Sequence, residues 1–121
     1  MMEIKIHEQD GIKIAEVAAN KVLISNAEEG LQLLADLYYQ DFDRIILHER
    51  NICNDFFDLR TKLAGEILQK FSNFRVRLAI VGDFNKFSGQ SIKDFIFESN
   101  KSKQINFLTS LADAKDRLSA Q

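Results

Sequence analysis

Hydrophobic residues in this chain alternate with polar residues in some segments and recur at helical spacing in others. Alternation over residues 3–8, and again over residues 12–17, predicts two strands. Because Asp10 and Gly11 between them form a preferred two-residue turn, these strands are predicted to make a β-hairpin. Short apolar runs predict three further strands, over residues 44–49, 76–81 and 105–109.

Helical spacing of apolar residues predicts four helices, of which the first covers residues 27–39. A capping box is an N-cap side chain followed three residues later by an acid, and two registers of the sequence provide one before this helix. Either Ser25 acts with Glu28 or Asn26 acts with Glu29.

Similar capping signals precede the last two predicted helices. Ser91 with Asp94 marks the start of a helix near residues 92–99. Ser110 with Asp113 marks the start of a final helix that follows the last strand. The predicted order of elements is therefore β-β-α-β-α-β-α-β-α.

The longest helical pattern, over residues 55–71, is the segment around which the rest of the chain is organised. Asp55 stands at the N-cap position, and Lys70 in the last turn suits the helix dipole. Gly65 costs about 1 kcal/mol relative to alanine in a helix interior, so either another backbone packs closely there or the residue is tolerated. The apolar positions are Phe56, Leu59, Leu63, Ile67, Leu68 and Phe71.

The strand pattern also predicts where the helices lie. Parallel strands that are covered on both faces read as continuous apolar runs, whereas these strands alternate. Right-handed crossovers between strands taken in sequential order place every helix on the same side. We therefore expect an α/β fold with a mixed sheet, in which only the first strand is antiparallel. Four helices should cover one face, and the second face should be mixed and rather basic.

Composition indicates one ordinary globular unit. The 121 residues are 45% hydrophobic and include ten phenylalanines, which predicts a single domain over residues 1–121 with a packed core. A net charge of −2 argues against a nucleic-acid partner. No apolar run approaches the ~18 residues of a membrane span, and no signal peptide is recognisable. A lone cysteine, Cys53, fits a reducing compartment, so we expect a cytoplasmic protein with no membrane partner.

Polar residues concentrate where two parallel strands end, the position at which open α/β sheets place ligands. The start of the long helix adds further polar residues to the same end of the sheet. We expect either a small ligand pocket or a partner-docking rim here, and the alternative is simple loop solvation and helix capping. The candidate residues are His48, Glu49, Arg50, Asn51, Asp58, Arg60, Thr61, Asp83, Phe84 and Lys86.

No catalytic signature accompanies this cluster. Glu49 and Asp83 could act as acid and base only if the fold brings them together. The two histidines, His7 and His48, lie on separate predicted strands and are too few for a metal site. We therefore predict no catalytic residue, no metal and no cofactor.

Two stretches carry a resemblance to a known family. FFDLRTKLAGEILQKFSNFRVRLAIVGDF and SIKDFIFESN, residues 56–84 and 91–100, are similar to a small bacterial family known only as domain of unknown function 4180. A hairpin followed by helices and strands wound in one direction also resembles the STAS fold of anti-sigma-factor antagonists. Those antagonists carry a phosphorylated hydroxyl in the loop entering the second helix. The corresponding loop of this chain is Asn54–Asp55–Phe56–Phe57, and its first hydroxyl is that of Thr61, one turn into the predicted helix. The resemblance therefore does not extend to that phosphorylation.

The STAS resemblance implies a non-catalytic module that binds another protein. The alternative is a small-molecule sensor or enzyme that uses the strand-end cluster, with His48, Glu49 and Asp83 in the site. A pocket lined by these three residues would favour the alternative.

The second sheet face suggests self-association. Apolar residues on a solvent-exposed sheet face favour a partner, and a two-fold dimer is the commonest one. In a monomer, long Lys and Arg stems could instead cover the apolar patch. The residues assigned to this face are Ala15, Val17, Ile46, Ala79, Val81 and Leu108 with Lys5, Lys13, Arg44, Arg75 and Arg77.

Overall fold

The computed structural model describes residues 2–120 and shows a five-stranded sheet with four α-helices. The elements follow one another in the predicted order. Their bounds are β1 Glu3–Gln9, β2 Ile12–Ala18, α1 Ala27–Tyr38, β3 Arg44–His48, α2 Leu63–Asn73, β4 Arg77–Val81, α3 Gln90–Asn100, β5 Ile105–Leu108 and α4 Leu111–Ser119.

The strands lie in the order β1-β2-β3-β4-β5. β1 runs antiparallel to β2 and the remaining neighbours are parallel, which confirms the predicted mixed sheet. Asp10 and Gly11 have φ of 55° and 80°, the conformation that a two-residue hairpin turn requires. The turn pairs Gln9 with Ile12 and thereby sets the register of the hairpin.

The larger core lies between the sheet and α1, α2 and α3. Each of these helices connects two adjacent parallel strands, so right-handed crossovers place all three on one face. Gly30 allows close packing of the first two helices, because a Cβ there would lie 3.1 Å from Cγ1 of Ile67. Within residues 2–120, no atom lies within 4 Å of a Cβ added to Gly65, so of the two alternatives for this residue the close backbone packing is not present. The largest buried side chains are Phe56, Phe71, Ile24, Leu34, Leu37, Ile45, Leu47, Ile67, Leu78 and Ile80.

Helix α4 lies on the opposite face, so the prediction of four helices on one face is wrong. Its Ala114 and Leu118 pack with Ile14, Ile46 and Ala79 in a second, smaller core. The handedness rule applies to connections between two parallel strands, and α4 follows the last strand instead. Burial of the apolar row on this face favours a helix that returns across the sheet.

The apolar centre of the face predicted to be open is therefore covered by α4. This removes the observation on which the predicted homodimer contact rested. Some of the residues assigned to this face from the sequence lie elsewhere in the structure. Ala15 and Val17 belong to the larger core, and Lys13 lies over the ring of Phe42 on that side. Arg75 precedes β4 and lies in the turn after α2.

Arginine side chains tie the C-terminal end of α4 to the sheet. Arg44 donates from Nε to the carbonyl of Leu118 at 3.0 Å. Arg77 donates to the carbonyls of Arg117 and Ala120 at 2.9 and 2.8 Å. Cations beside a helix C-terminus also suit its dipole. These two arginines thus hold α4 in place, whereas the sequence assigned them to a self-association face or to a cover over its apolar patch.

The first part of the predicted central helix is replaced by two 3-10 turns, Asn54–Phe57 and Leu59–Thr61. Lys62 has a φ of 65°, and α2 begins only after it, at Leu63. The predicted N-cap, Asp55, therefore lies inside a turn. Two consecutive phenylalanines of the first turn are both buried, which the single apolar stripe of a regular helix does not favour.

Of the three predicted capping boxes, two are at the N-cap positions that the structure shows. Asn26 is the N-cap of α1 and accepts from the backbone N–H of Glu29 at 2.8 Å, the second of the two predicted registers. Ser110 caps α4 as predicted. The predicted capping box of α3 is wrong, because Gly89 is the N-cap and Ser91 lies within the helix.

Candidate binding site at the carboxyl ends of β3 and β4

A groove lies at the end of the sheet where β3 and β4 finish. One wall consists of residues 57–60, which precede α2, and the other consists of residues 86–92, which lead into α3. Its volume is about 690 Å³, within the range of ligand pockets. The lining residues are Phe57, Asp58, Leu59, Arg60, Lys86, Phe87, Ser88, Gly89, Ser91 and Ile92. We refer to this site as the strand-end groove.

Aromatic rings form the apolar wall of the strand-end groove. The rings of Phe57 and Phe87 are stacked, with centroids 4.5 Å apart and planes 16° from parallel. Phe84 lies beside them, 6.0 Å from the Phe57 ring and 5.3 Å from the ring of Phe107. Because Phe107 is buried in the larger core, the apolar wall is anchored to the sheet. Phe84 thus supports the groove and is not among the lining residues.

Asp58 and Arg60 form a forked ion pair on the first wall. Nε and Nη2 of Arg60 donate to the two carboxylate oxygens at 3.0 and 2.9 Å. The same carboxylate accepts from the backbone N–H of Arg60 at 3.2 Å and caps the turn. These hydrogen bonds hold the pKa of Asp58 below its ordinary value. The guanidinium remains exposed and available to a partner.

Lys86 stands on the opposite wall and is held by Glu49. The two side chains form an ion pair, and Nζ of Lys86 also lies 5.5 Å from the ring centroid of Phe87. Glu49 is packed against Gly82, where an added Cβ would lie 2.5 Å from Cβ of Glu49. A glycine at the end of β4 is therefore needed for Glu49 to reach Lys86.

Arg50 and Asn51 hold the connection between β2 and α1. Asn51 is fully buried and donates from Nδ2 to the carbonyls of Ala19 and Lys21, both at 3.0 Å. Its Oδ1 accepts from the backbone N–H of His48 at 3.3 Å. Arg50 donates from Nε to Ala19 at 3.1 Å. The bonds of both residues are structural, and neither residue lines the strand-end groove.

Thr61 and Asp83 cap turns. The hydroxyl of Thr61 lies 2.6 Å from the carbonyl oxygen of Asp55. Asp83 accepts from the backbone N–H of Asn85 at 3.1 Å. The contacts of these two residues therefore agree with the alternative considered for the cluster, in which its polar side chains only solvate loops and cap local structure.

His48 points to the other face of the sheet, where both it and His7 bond to Glu16, a residue that was not among the predicted candidates. Nε2 of His48 lies 2.7 Å from one oxygen of Glu16, and Nε2 of His7 lies 2.8 Å from the other. Glu16 is only 6% exposed. Burial by itself raises the pKa of Glu16, but the hydrogen bonds from the two histidines outweigh it and hold the pKa below its ordinary value. The hairpin register could have predicted the contact between His7 and Glu16. His7 lies opposite Ile14, and Glu16 is two residues further along the same strand, on the same face.

The predicted cluster is thus divided among several places. Asp58, Arg60 and Lys86 line the strand-end groove, and Glu49 supports it from behind. Phe84 supports its aromatic wall, and the other candidates cap turns, hold loops or lie on the α4 face. Across residues 2–120, no group of three or more His, Cys, Asp or Glu side chains is placed to hold a metal ion. In the same part of the chain, the helices are too short or too polar to cross a membrane.

Comparison with known proteins gives a family match and a structural similarity. A family model described as Domain of unknown function (DUF4180) matches residues 9–118, which include both stretches that carry the resemblance in the sequence. No curated protein matches the sequence. Among solved structures, the chain is similar to a candidate anti-sigma factor antagonist from Thermotoga maritima, with a TM-score of 0.47 and 15% sequence identity. That similarity covers 97% of this chain and 95% of the other.

Proposed function

Because the chain belongs to the family described as Domain of unknown function (DUF4180), which names no activity, we propose a function from the strand-end groove. The protein is a non-catalytic module that binds a segment of another protein in this groove. The observation that carries the proposal is the pairing of an apolar aromatic wall with two fixed cations, Arg60 and Lys86.

The groove suits a segment that is both apolar and acidic. A Leu or Phe side chain of the partner would bury surface against Phe57, Phe87 and Ile92. A neighbouring carboxylate would lie near Arg60 and Lys86, and charge-assisted hydrogen bonds to it are stronger than neutral ones. Aromatic residues and arginine are also the residue types that dominate binding energy at protein interfaces.

The ion pairs in the groove support binding in preference to acid–base chemistry. A general acid or base works best with a pKa near the operating pH. Asp58 is held as a carboxylate by Arg60, which lowers its pKa. Glu49, one of the two candidate acid–base residues, is paired with Lys86, and the other, Asp83, caps a turn.

A second candidate function is a small-molecule sensor that uses the same groove. The volume of about 690 Å³ and the stacked pair Phe57–Phe87 favour an aromatic carboxylate as its ligand. His48 and Asp83, which the sequence placed in such a site, do not line the groove. The groove cations would replace them as the groups that recognise the ligand.

A nitrogen-15 NMR titration tests the proposal. The probe is the capped peptide acetyl-Glu-Leu-Phe-Glu-amide, with acetyl-Lys-Leu-Phe-Lys-amide as the charge-reversed control. We expect shift changes confined to residues 57–60 and 86–92 with the first peptide and much smaller ones with the second. Arg60→Glu should weaken binding by about tenfold. Lys93→Glu is the matched control, because Lys93 is exposed on α3 and does not line the groove.

Changes spread over other surfaces, or none at millimolar peptide, would contradict the proposal. The small molecule 3-phenylpropionate and its uncharged amide separate the two candidates. Binding of the peptide that is much tighter than binding of 3-phenylpropionate supports a protein partner. Equal or tighter binding of the small carboxylate supports the sensor.

A further inference from the structure

The two edges of the sheet are finished differently. At the β5 edge, the side chain of Asn100 accepts from the backbone N–H of Phe107 at 2.7 Å and donates to its carbonyl at 3.1 Å. The hydroxyl of Ser99 donates to the carbonyl of Ile105 at 2.8 Å. Side chains from the end of α3 therefore occupy the backbone groups that another strand would need.

Among the residues that the structure describes, nothing protects the β1 edge in this way. Because Gln9 and Ile12 close a two-residue turn, every second residue of β1 from Gln9 back to Glu3 bonds to β2. The backbone groups of Ile4, Ile6 and Glu8 then point away from the sheet. Within residues 2–120, no side chain or loop backbone bonds to the outward groups of Ile4 and Ile6.

The side chains along this edge form two matched rows. Met2, Ile4 and Ile6 alternate onto the face covered by α1, α2 and α3, with Met2 39% and Ile6 62% exposed. Glu3 and Lys5 alternate onto the other face and are both exposed. An apolar row beside a row of opposite charges is suited to pairing with itself.

We propose that β1 pairs antiparallel with β1 of a second copy of this chain, around a two-fold axis at Ile4. The two sheets would join into one continuous sheet of ten strands. This surface is separate from the α4 face and from the strand-end groove, so the proposal does not depend on the proposed function.

Charge complementarity selects this register. Centred on Ile4, the pairing places Met2 opposite Ile6 of the second copy and Glu3 opposite Lys5, twice by symmetry. If the two-fold axis passed through Lys5 instead, Lys5 would lie directly opposite Lys5 of the second copy. Centring on Ile6 would place Glu8 opposite Ile4. Directly opposite like charges and mismatched polar pairs are both unfavourable.

Sedimentation equilibrium of the full chain across micromolar to millimolar concentration tests the proposal. Strand pairing alone buries a small area, so we expect a weak dimer with a dissociation constant on the order of micromolar or higher. Glu3→Lys and Lys5→Glu should each weaken it by about tenfold or more, because two attractive pairs become repulsive. The double variant should restore the wild-type constant.

An equimolar mixture of the two single variants provides a control against misfolding. In that mixture every charge pair is complementary again, so we expect a heterodimer although each variant alone is a monomer. Amide exchange gives a second measurement: protection of the Ile4 and Ile6 amides should rise with concentration. The Lys5 amide, bonded to β2 in the monomer, should remain unchanged. A wild-type monomer at millimolar concentration, or a dimer unaffected by either substitution, would overturn the proposal.

Discussion

Glu49 lies so close to Gly82 that a Cβ added to the glycine would be 2.5 Å from Cβ of Glu49 and 2.7 Å from Oε1. Glu49 is largely buried by this packing, with a side chain 13% exposed, and its carboxylate holds Lys86. The missing side chain at position 82 therefore helps to place a cation on the rim of the strand-end groove.

Gly82→Ala should destabilise the protein by about 1–3 kcal/mol, the usual cost of overpacking. Urea denaturation measures the loss. Gly65→Ala is the matched control, because a Cβ at position 65 would have no atom of the described residues within 4 Å. It should stabilise the protein by up to about 1 kcal/mol through helix propensity. Equal effects of the two substitutions would show that Glu49 does not require the glycine.

Arg75→Gly should stabilise the protein by about 1 kcal/mol. Arg75 follows α2 with a φ of 57°, which is costly for a residue with a side chain. The N–H of Arg75 donates to the carbonyl of Ser72 at 3.0 Å, and the N–H of Val76 donates to the carbonyl of Phe71 at 3.0 Å. These two bonds form a Schellman motif. Thermal unfolding should show a higher midpoint for Arg75→Gly and no gain for Arg75→Ala. A gain from both variants would mean that the charge matters and the backbone conformation does not.

Glu16→Gln should remove part of the acid sensitivity of the fold. The pKa of Glu16 in the folded chain lies below its ordinary value of 4.5, so its carboxylate stabilises the fold above that pH. This stabilisation is lost as the pH falls through the folded pKa. The difference in unfolding free energy between wild type and variant should therefore shrink from about pH 5 to about pH 3. Urea denaturation across that range measures it, and a constant difference would contradict the assignment.

Leu118→Ala tests the docking of α4. Leu118 is fully buried against the second sheet face, so its truncation should cost about 2–5 kcal/mol. Ile67→Ala, in the larger core, should cost a similar amount and serves as the comparison. A loss well below 1 kcal/mol for Leu118→Ala alone would mean that α4 does not cover this face.

Local patterns were sufficient to predict the order of elements. The turn at Asp10 and Gly11, the cap at Ser110 and the alternation of the strands depend on neighbouring residues, and each is present in the structure. The side of the sheet taken by α4 depends on the packing of Leu118 against distant strands. The crossover rule gives no information about a helix after the last strand.

The candidate site was harder to predict because the backbone changes direction within the turns that carry its residues. Residues 55–61 carry helical spacing, and the hydroxyl of Thr61 instead bonds back to the carbonyls of Asp55 and Asp58. The two 3-10 turns bring Asp58 and Arg60 to the groove, and a helix would have spread them along its surface. Glu16 was missed because its partners, His7 and His48, come from two other strands.

The attachment of α4 has an evolutionary consequence. Arg44 and Arg77 bond to main-chain carbonyls at the end of this helix. Every residue type has such a carbonyl, so these bonds do not depend on the side chains of α4. Outside the few positions that pack against the sheet, the exposed surface of α4 can therefore change its side chains without loosening these bonds. These bonds to the main chain of α4 come from β3 and β4, which carry the two arginines. We therefore expect related sequences to vary on the exposed side of α4 and to keep arginine at positions 44 and 77.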